Sequence, residues 1–409
     1  MSEEGKDKKN LLLMSPMLHQ GGFERVCVQT ARLLKDDFHT AILIFSDKDI
    51  NYDISGLEVI NIDVPSSKGL PAKVRNILLR IKKVREVKKN RKIDIAYSFG
   101  SSANIVNVLS RTKEKIYTGI RCSTDTENPR EVRLLTTRSD RVLSCSKEIM
   151  RQLSGEYGYS RSAYIYNPLN IEDIREKAKE KVDDIPFKKD GAGSPEESVK
   201  LIVGMGRDDR IKGFWHLVKA FSIVEKEIPG ARLVLLGAGS FEGCRKLAED
   251  LKVSSKVAFP GVRKNPFPYV AAADLYVLSS NHEGFPNALL EAMALERPVI
   301  AADCKTGPRE ILLSDEAYEE LLKEKPDGSS TDKTIEGDFG ILVPDMGDEP
   351  DYNAAVITEG ERELARQMIR LLRDEKALRD YGKKAGEHVR VYSPERYRQD
   401  LARLLREEI

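Results

Sequence analysis

Short apolar runs alternate with amphipathic stretches along the first part of the chain, a pattern typical of parallel strands connected by helices. This pattern predicts a helix over residues 21–34, directly after the first strand. Gly21 and Gly22 open that helix, either as a simple tight turn or as a place where a ligand approaches the backbone closely. The predicted strands are residues 11–16, 41–45, 93–98, 115–121 and 140–146, and residues 165–168 are expected to close the domain.

A second series of the same kind begins at residue 200 and contains a predicted helix over residues 214–227. Residues 315–338 are charged and are expected to form a loop-like insertion. The two series predict an α/β fold with doubly wound domains at residues 1–168 and 199–392, joined by a charged linker at 169–198. The predicted strands are residues 200–207, 232–237, 256–260, 275–278, 298–302 and 339–344, and residues 360–390 and 393–409 are expected to be helical.

Composition adds an expectation about the compartment. The five cysteines are odd in number and widely scattered, without the spacing of a metal site, which favours a reduced, cytoplasmic protein. No run approaches the length of a membrane-spanning helix. The first ten residues are polar and precede a strand-length apolar run, which is not the pattern of a secretion signal.

A basic segment at residues 68–92 contains eleven Lys and Arg residues against the single acid Glu86. Apolar residues recur within it at roughly helical spacing. Such a helix either lies on an anionic membrane surface, which would place the protein peripherally on the inner face of a membrane, or packs its apolar stripe on the sheet. Nucleic-acid binding is not expected, because the segment has no aromatic residue and no binding-fold signature.

The candidate chemistry centres on residues 274–311, where a polar loop and a helix separate two short strands. Asn287 is predicted to be the N-cap of a helix that begins at Ala288, and the free N–H groups of such a helix bind anions. Glu283 and Glu291 lie eight positions apart across this loop and helix. Phosphate-binding groups flanked by two hydroxyl-binding carboxylates point to a sugar nucleotide as the ligand.

Two cations, Arg207 and Lys212, follow the first strand of the same sheet. The carboxyl ends of parallel strands meet at one sheet edge, so these cations are expected to meet the anion at the helix start. Fixed cations lower the barrier to glycosyl transfer because they stabilise the charge that develops on a departing diphosphate. Glu291 would bind two ribose hydroxyls, and Glu283 would contact the transferred sugar. Each residue considered alone is equally compatible with a surface salt bridge.

Other motifs carry less weight. Residues 237–240, GlyAlaGlySer, lack the third glycine of a dinucleotide fingerprint and are predicted to be a structural turn. The five histidines are isolated, and His282 beside Glu283 is a candidate to line the site. No metal cluster is expected.

These motifs together resemble family 4 of the retaining glycosyltransferases. The similar segments are GlyArg and LysGly at 206–213, AlaAspLeuTyrValLeuSerSer at 273–280, the Glu-x7-Glu segment at 283–291, ProValIleAla at 298–301 and GlyGlyPheGlu at 21–24. The resemblance implies the GT-B fold, in which two Rossmann-like doubly wound domains face a cleft, the second holds most of the donor, and a final helix crosses back to the first. It also implies that neither a metal nor another cofactor is required.

The resemblance further assigns roles to individual residues. Arg207, Lys212 and Glu283 would be catalytic, the cations at the donor diphosphate and Glu283 near the sugar 3-hydroxyl, while Glu291 would bind the ribose. Gly22 would approach the phosphate from the first domain. The other predicted donor-binding positions are Val262 and Arg263 beside the base, together with Gly206, Gly284, Phe285, Pro286, Asn287 and Ala288.

The acceptor side departs from the family pattern. Residues 118–121 are Thr-Gly-Ile-Arg where many members have a Thr-x-His element, so Arg121 is a candidate to bind the acceptor or a phosphate. The resemblance is greatest to members that build bacterial surface polysaccharides and lipid-linked glycans. The expected activity is retaining, metal-independent transfer of a hexose or N-acetylhexosamine from a UDP-sugar to a glycan or lipid-linked acceptor. The alternatives are a non-catalytic nucleotide-sugar-binding protein and a fold-related sugar-nucleotide epimerase.

Overall fold

The computed structural model describes residues 8–19, 21–187 and 199–407, and the chain divides into two compact units. Unit 1 consists of residues 1–168 and 394–409, and unit 2 of residues 169–393. Part of the predicted linker, the first residues of the chain and the last two residues of the predicted final helix lie outside the described residues.

Unit 1 contains a seven-stranded sheet in the order β3-β2-β1-β4-β5-β6-β7, and all of its strand pairs are parallel. The strands are β1 Asn10–Ser15, β2 His39–Ile44, β3 Glu58–Asn61, β4 Ile95–Phe99, β5 Lys115–Ile120, β6 Arg141–Ser144 and β7 Ser162–Tyr164. The helices are α1 Gly22–Leu34, α2 Leu70–Asn90, α3 Ser101–Leu109, α4 Pro129–Arg138, α5 Lys147–Tyr157 and, from the end of the chain, α15 Pro394–Arg406. Central strands covered on both faces need apolar residues at every position, which explains the continuous run of residues 11–14.

Unit 2 contains a second seven-stranded sheet in the order β10-β9-β8-β11-β12-β14-β13, parallel except for the β13–β14 pair. Its strands are β8 Lys200–Met205, β9 Ala231–Leu236, β10 Val257–Gly261, β11 Leu275–Leu278, β12 Val299–Ala302, β13 Ile335–Glu336 and β14 Ile341–Val343. Its helices are α6 Ile171–Lys177, α7 Phe214–Glu227, α8 Glu242–Asp250, α9 Phe267–Ala271, α10 Asn287–Ala294, α11 Pro308–Leu312, α12 Asp315–Glu324, α13 Glu359–Arg373 and α14 Glu375–His388. The prediction of two doubly wound α/β domains is confirmed.

The expectation of a loop-like insertion at residues 315–338 is wrong for its first part, which is helix α12. The Ser314 hydroxyl accepts a hydrogen bond from the Ala317 N–H and caps the helix. Tyr318, Leu321 and Leu322 recur at helical spacing and are buried. The high density of charge conceals this narrow apolar stripe in the sequence.

The final helix α15 packs within unit 1. Tyr397, Leu401 and Leu405 belong to the core of that unit, and the Tyr397 hydroxyl lies 2.7 Å from Thr30 Oγ1. The Asp37 carboxylate accepts hydrogen bonds of 2.7 Å from two arginines of the helix, Arg398 and Arg406. Unit 1 is therefore completed by residues from both ends of the chain.

The basic segment forms helix α2, and the two halves of this helix have different surroundings. Val84 is buried against the sheet, and Lys88 makes a buried 2.7 Å ion pair with Glu114. Towards the N-terminus of the helix, Leu70 is 75% exposed and Leu78 is 63% exposed. The apolar stripe therefore packs on the sheet only along its second half. None of the described helices is both long and apolar enough to cross a membrane.

Candidate functional site

The loop after β8, which carries the two predicted cations, lies directly against the loop after β9. The Gly206 N–H donates to the Leu236 carbonyl at 2.9 Å, and the Asp208 N–H donates to the Ala238 carbonyl at 2.7 Å. A Cβ atom on Gly237, whose φ is +146°, would lie 1.7 Å from the Gly206 carbonyl oxygen. Only glycine fits at position 237, because the two backbones approach each other so closely there. Residues 237–240 therefore form a turn that packs against the loop after β8.

The same loop is joined to the loop after β11 largely through backbone atoms. The Asn281 N–H donates to the Ile211 carbonyl at 2.9 Å, and the Ser279 hydroxyl donates to the Lys212 carbonyl at 3.1 Å. Gly213 has a φ of +57°, and a Cβ there would lie 2.3 Å from the Ser279 carbonyl oxygen. These contacts bring the segments around Lys212 and Glu283 together.

Lys212 and Glu283 form the central ion pair of the site. Lys212 Nζ lies 2.6 Å from Glu283 Oε1, and their side chains are 20% and 9% exposed. A lysine ammonium has three donors, so the bond to Glu283 leaves it further donors for the oxygens of an anion. The pair therefore offers a positive group and a hydroxyl-binding carboxylate side by side.

Arg207 has a different environment from Lys212. Its side chain is 63% exposed, and its terminal nitrogen lies 3.9 Å from Asp209 Oδ2. This long contact is the only ion pair of Arg207 within the described part of the chain. Arg207 is accordingly an exposed cation with one long ion-pair contact, whereas Lys212 is held in place by its partner.

The loop after β12 packs against the segment that contains Glu283. The Thr306 hydroxyl donates to the Glu283 carbonyl. Gly307 has a φ of +96°, and a Cβ there would lie 2.9 Å from the Gly284 carbonyl oxygen and 2.7 Å from the ring of Pro286. Phe285 is buried, with its ring centroid 5.3 Å from that of Tyr392.

The prediction that Asn287 caps a helix beginning at Ala288 is wrong. Pro286 is the N-cap residue, without a capping side chain, and Asn287 is the first residue of α10. The backbone of Pro286, with φ of −71° and ψ of 102°, is extended and suits this position. Glu291 lies in the second turn of α10 and is buried.

The two residues predicted beside the base differ in how they are held. Val262 is 47% exposed and follows Gly261, the last residue of β10. The Arg263 guanidinium donates to the Tyr269 hydroxyl and to the Asp184 carboxylate, each at 2.7 Å. Arg263 therefore anchors the segment around Asp184, and Val262 is the more available of the two for an apolar contact.

Gly22 and Arg121 lie in unit 1. Gly22 is the first residue of α1, and the preceding Gly21 exchanges hydrogen bonds of 2.9 and 2.6 Å with the Tyr52 hydroxyl. Arg121 follows β5, and its guanidinium lies 5.1 Å from the centre of the Phe99 ring. Its terminal nitrogens are buried and make no hydrogen bond of normal geometry among the described residues, although the Tyr397 hydroxyl faces the guanidinium.

Sequence reasoning missed several residues that build this site. Ser279, Asn281 and Thr306 are polar residues just beyond strands β11 and β12, a position that could have identified them. Within the residues described, no group of three or more His, Cys, Asp or Glu side chains is arranged to hold a metal ion.

The family model and the relatives that match this sequence are all glycosyltransferases. Residues 199–331 match the family model described as glycosyl transferases group 1. An uncharacterized glycosyltransferase of Methanocaldococcus jannaschii is 34% identical over 185 residues, which cover 44% of this chain and 43% of that protein. The Campylobacter jejuni N-acetylgalactosamine-N,N'-diacetylbacillosaminyl-diphospho-undecaprenol 4-alpha-N-acetylgalactosaminyltransferase is 24% identical, over 95% of this chain and 97% of that protein.

Solved structures agree on the fold. Anabaena Alr3699/HepE, solved in complex with UDP and glucose, superposes with a TM-score of 0.71 at 17% identity, over 97% of this chain and 99% of that one. A Rickettsia africae glycosyltransferase gives a TM-score of 0.71 at 16% identity, over 98% of this chain and 100% of that one. Residues 199–331 are therefore similar to the group 1 glycosyltransferases, and the chain as a whole has the GT-B fold of these solved structures.

Proposed function

We propose that this chain is a retaining, metal-independent glycosyltransferase that moves a hexose or N-acetylhexosamine from a UDP-sugar to a glycan or lipid-linked acceptor in cell-surface polysaccharide synthesis. The observation that carries the proposal is the Lys212–Glu283 pair, with Arg207 beside it at the same sheet edge. In this assignment Gly206 and residues 284–288 complete the donor contacts, Glu291 binds the ribose, and Gly22 approaches the phosphate.

The arrangement suits departure of a nucleoside diphosphate. Charge builds up on the leaving phosphate as the glycosidic bond breaks, and preorganised cations stabilise it. Lys212 is positioned in advance by Glu283, and Arg207 supplies a second cation without a metal ion. Glu283 also offers a carboxylate to a sugar hydroxyl. The similar Anabaena protein was solved with UDP and glucose, and the name of the Campylobacter relative specifies a lipid-linked acceptor, which supports this choice of substrates.

The direct test is release of UDP from a panel of UDP-sugars, with acceptor extracts and lipid-linked oligosaccharides, measured in parallel with and without EDTA. We expect one UDP-sugar to give acceptor-dependent release, with retained anomeric configuration in the NMR spectrum of the product. UDP binding without turnover on any acceptor would instead indicate a non-catalytic binding protein. Interconversion of UDP-sugars without an acceptor would indicate an epimerase, and loss of activity with EDTA would overturn metal independence.

We assign Arg121 to the acceptor side. A buried guanidinium whose terminal nitrogens make no hydrogen bond of normal geometry is unfavourable even beside the Tyr397 hydroxyl, and phosphate oxygens match its planar donor geometry. We therefore expect Arg121 to turn towards a phosphate of a lipid-linked acceptor. The variant Arg121→Gln should raise KM for such an acceptor about 10-fold, as expected for loss of a charged hydrogen bond, and leave KM for the UDP-sugar unchanged. Equal changes in both KM values would contradict the assignment.

We also propose that the exposed first half of α2 contacts an anionic membrane surface. Leu70, Val74 and Leu78 lie on one face of the helix and are 75%, 49% and 63% exposed. Exposed basic residues flank them, and the second half of the same face is fixed on the sheet. Apolar side chains beside cations suit the boundary between lipid headgroups and acyl chains.

This surface predicts salt-sensitive binding to phosphatidylglycerol vesicles and none to phosphatidylcholine vesicles, measured by co-sedimentation. Replacing Lys73, Arg75 and Lys82 by serine should reduce the binding about 10-fold or more, at roughly 1 kcal/mol per basic residue. A matched control replaces the exposed Lys376, Arg379 and Lys383 of α14 by serine, with the same change of charge. Equal loss in both variants would show that the attraction depends on overall charge and not on α2.

A further inference from the structure

The segment between β14 and α13 contacts both of the loops that carry the central ion pair. Asp348, in this segment, accepts hydrogen bonds of 3.2 Å from the Arg210 guanidinium and from His282 Nε2, both at the oxygen Oδ2. Arg210 lies two residues before Lys212 in the loop after β8. His282 directly precedes Glu283 in the loop after β11. Asp348 therefore connects these two loops from a third one.

Helix α7 fixes the backbone on both sides of Asp348. The buried His216 ring has its Nε2 atom 2.9 Å from the carbonyl oxygen of Gly347, the residue directly before Asp348. The fully buried Lys219 donates to the Asp351 carboxylate at 2.7 Å. These two anchors lie three residues apart and on one face of α7. The segment therefore presents the Asp348 carboxylate at a fixed position.

This fixed position distinguishes the Asp348 contacts from ordinary surface ion pairs. Exposed pairs usually contribute little, because two long side chains must be ordered to form them. Asp348 has a short side chain on a fixed backbone, so less conformational entropy is lost, and one carboxylate oxygen serves two donors. The hydrogen bond from His282 lowers the pKa of the Asp348 carboxyl most, and the contact with Arg210 adds to this effect. The bridging group is therefore a carboxylate at neutral pH.

We propose that Asp348 is a positioning residue of the donor site. Its carboxylate bridges Arg210 and His282, and this bridge fixes the spacing of the Lys212–Glu283 pair. The inference rests on the proposed function, because it assigns that pair to the donor. In this role Asp348 does not touch the donor. It engages two hydrogen-bond donors that a diphosphate would otherwise attract, so that bound phosphates do not pull the two loops out of register.

The test compares Asp348→Asn with the unchanged protein by calorimetric titration with UDP, by donor kinetics and by thermal unfolding. The amide keeps the size of the side chain but loses the charge that holds both donors. We expect kcat/KM for the UDP-sugar to fall about 10-fold and the Kd for UDP to rise, because displaced groups lose much of their effect. The melting temperature should fall by less than about 3 °C, as expected for partly exposed ion pairs.

The direction of the change in UDP affinity distinguishes positioning from a simple effect of charge. A carboxylate beside a diphosphate repels it, so removal of the charge alone would tighten the binding of UDP. Release of Arg210 would act in the same direction, because a guanidinium binds phosphate well. Weaker binding of UDP by Asp348→Asn, at unchanged folding, is therefore expected only if the bridge positions the two loops.

Glu349→Gln is the matched control. Glu349 is the next residue along the chain, it is exposed, and it makes no ion pair within the described part of the chain. This variant removes the same charge and should leave kcat/KM within about twofold of the unchanged protein. A second comparison places Asp348→Asn in a background with Arg210→Met and His282→Leu. There it should cause no further loss, because both donors of the bridge are already gone.

The outcomes separate the two proposals. If the unchanged protein does not bind UDP, the proposed function fails first. If it binds UDP and Asp348→Asn binds UDP equally well or more tightly, only the role of Asp348 is overturned. The same loss of kcat/KM in Glu349→Gln, or a further loss in the background without Arg210 and His282, would overturn that role as well. A much larger fall in melting temperature would show that Asp348 supports the fold instead of positioning the site.

Discussion

Replacing Lys212 by alanine is expected to lower kcat/KM for the UDP-sugar by about 100- to 1000-fold, the range for loss of one preorganised group that stabilises developing charge. The change removes the cation nearest to the proposed diphosphate. It also leaves Glu283, which is 7% exposed, without the ammonium that neutralises it. The second effect adds to the first, because an unpaired carboxylate repels the phosphates. Initial rates at several donor concentrations measure the change.

Two further variants distinguish the parts of this pair. Glu283→Gln keeps the shape of the side chain and should also lower kcat/KM strongly, since the carboxylate both holds Lys212 and meets the sugar. Lys246→Ala is the control, because Lys246 makes an exposed 3.1 Å pair with Asp250 in the same unit. Activity within about threefold of the unchanged protein for Lys212→Ala, at unchanged folding, would contradict the role of Lys212.

Replacing Arg309 by methionine is expected to lower the free energy of unfolding of unit 2 by about 3–5 kcal/mol, the usual result of removing one partner of a buried ion pair. Arg309 makes a bidentate ion pair with Asp303, with hydrogen bonds of 2.9 and 2.8 Å, and neither side chain is exposed. Arg309 also donates to the Ser329 carbonyl at 3.0 Å, and Asp303 accepts from the Thr331 N–H at 2.8 Å. The variant thus leaves the buried Asp303 charge without its cation and removes the hydrogen bond to the Ser329 carbonyl.

Fluorescence during urea unfolding measures this change selectively. The chain has a single tryptophan, Trp215, which is buried in the core of unit 2 and therefore reports on that unit. Lys325→Met is the control, because the Lys325–Asp332 pair is largely exposed and should contribute less than about 1 kcal/mol. Combining Arg309→Met with Asp303→Leu should restore much of the loss. If Arg309→Met unfolds at the same urea concentration as the unchanged protein, the pair does not stabilise the fold.

The sequence was most informative where burial dictates composition. Strands such as β1 and β11 are covered on both faces, so their apolar runs mark their positions within a residue or two. Short edge strands and charged helices give no such signal. Strand β3, at the edge of its sheet, has no fully buried position, and α12 hides three apolar residues among acids. The boundary of α10 was misplaced by one residue because Pro286, and not the polar Asn287 after it, occupies the N-cap position.

For the candidate site, order along the chain predicted which residue types would converge but not how they pair. Lys212 and Glu283 were both expected at the donor, one at the phosphates and the other at the sugar, and their 2.6 Å ion pair follows only from the folded loops. The contacts made by Ser279, Asn281 and Gly213 join segments far apart in sequence, which no local pattern encodes.

The joining of the loops after β8 and β11 through backbone atoms has a consequence for redesign. Main-chain contacts such as Asn281 N–H to Ile211 carbonyl, and the tight approach at Gly213, persist when neighbouring side chains are exchanged. Surface positions such as Val262 can therefore be randomised in a library aimed at a different base, while the loops beneath keep their shape. Gly213, Gly237 and Gly307 are among the positions that such a library must leave untouched.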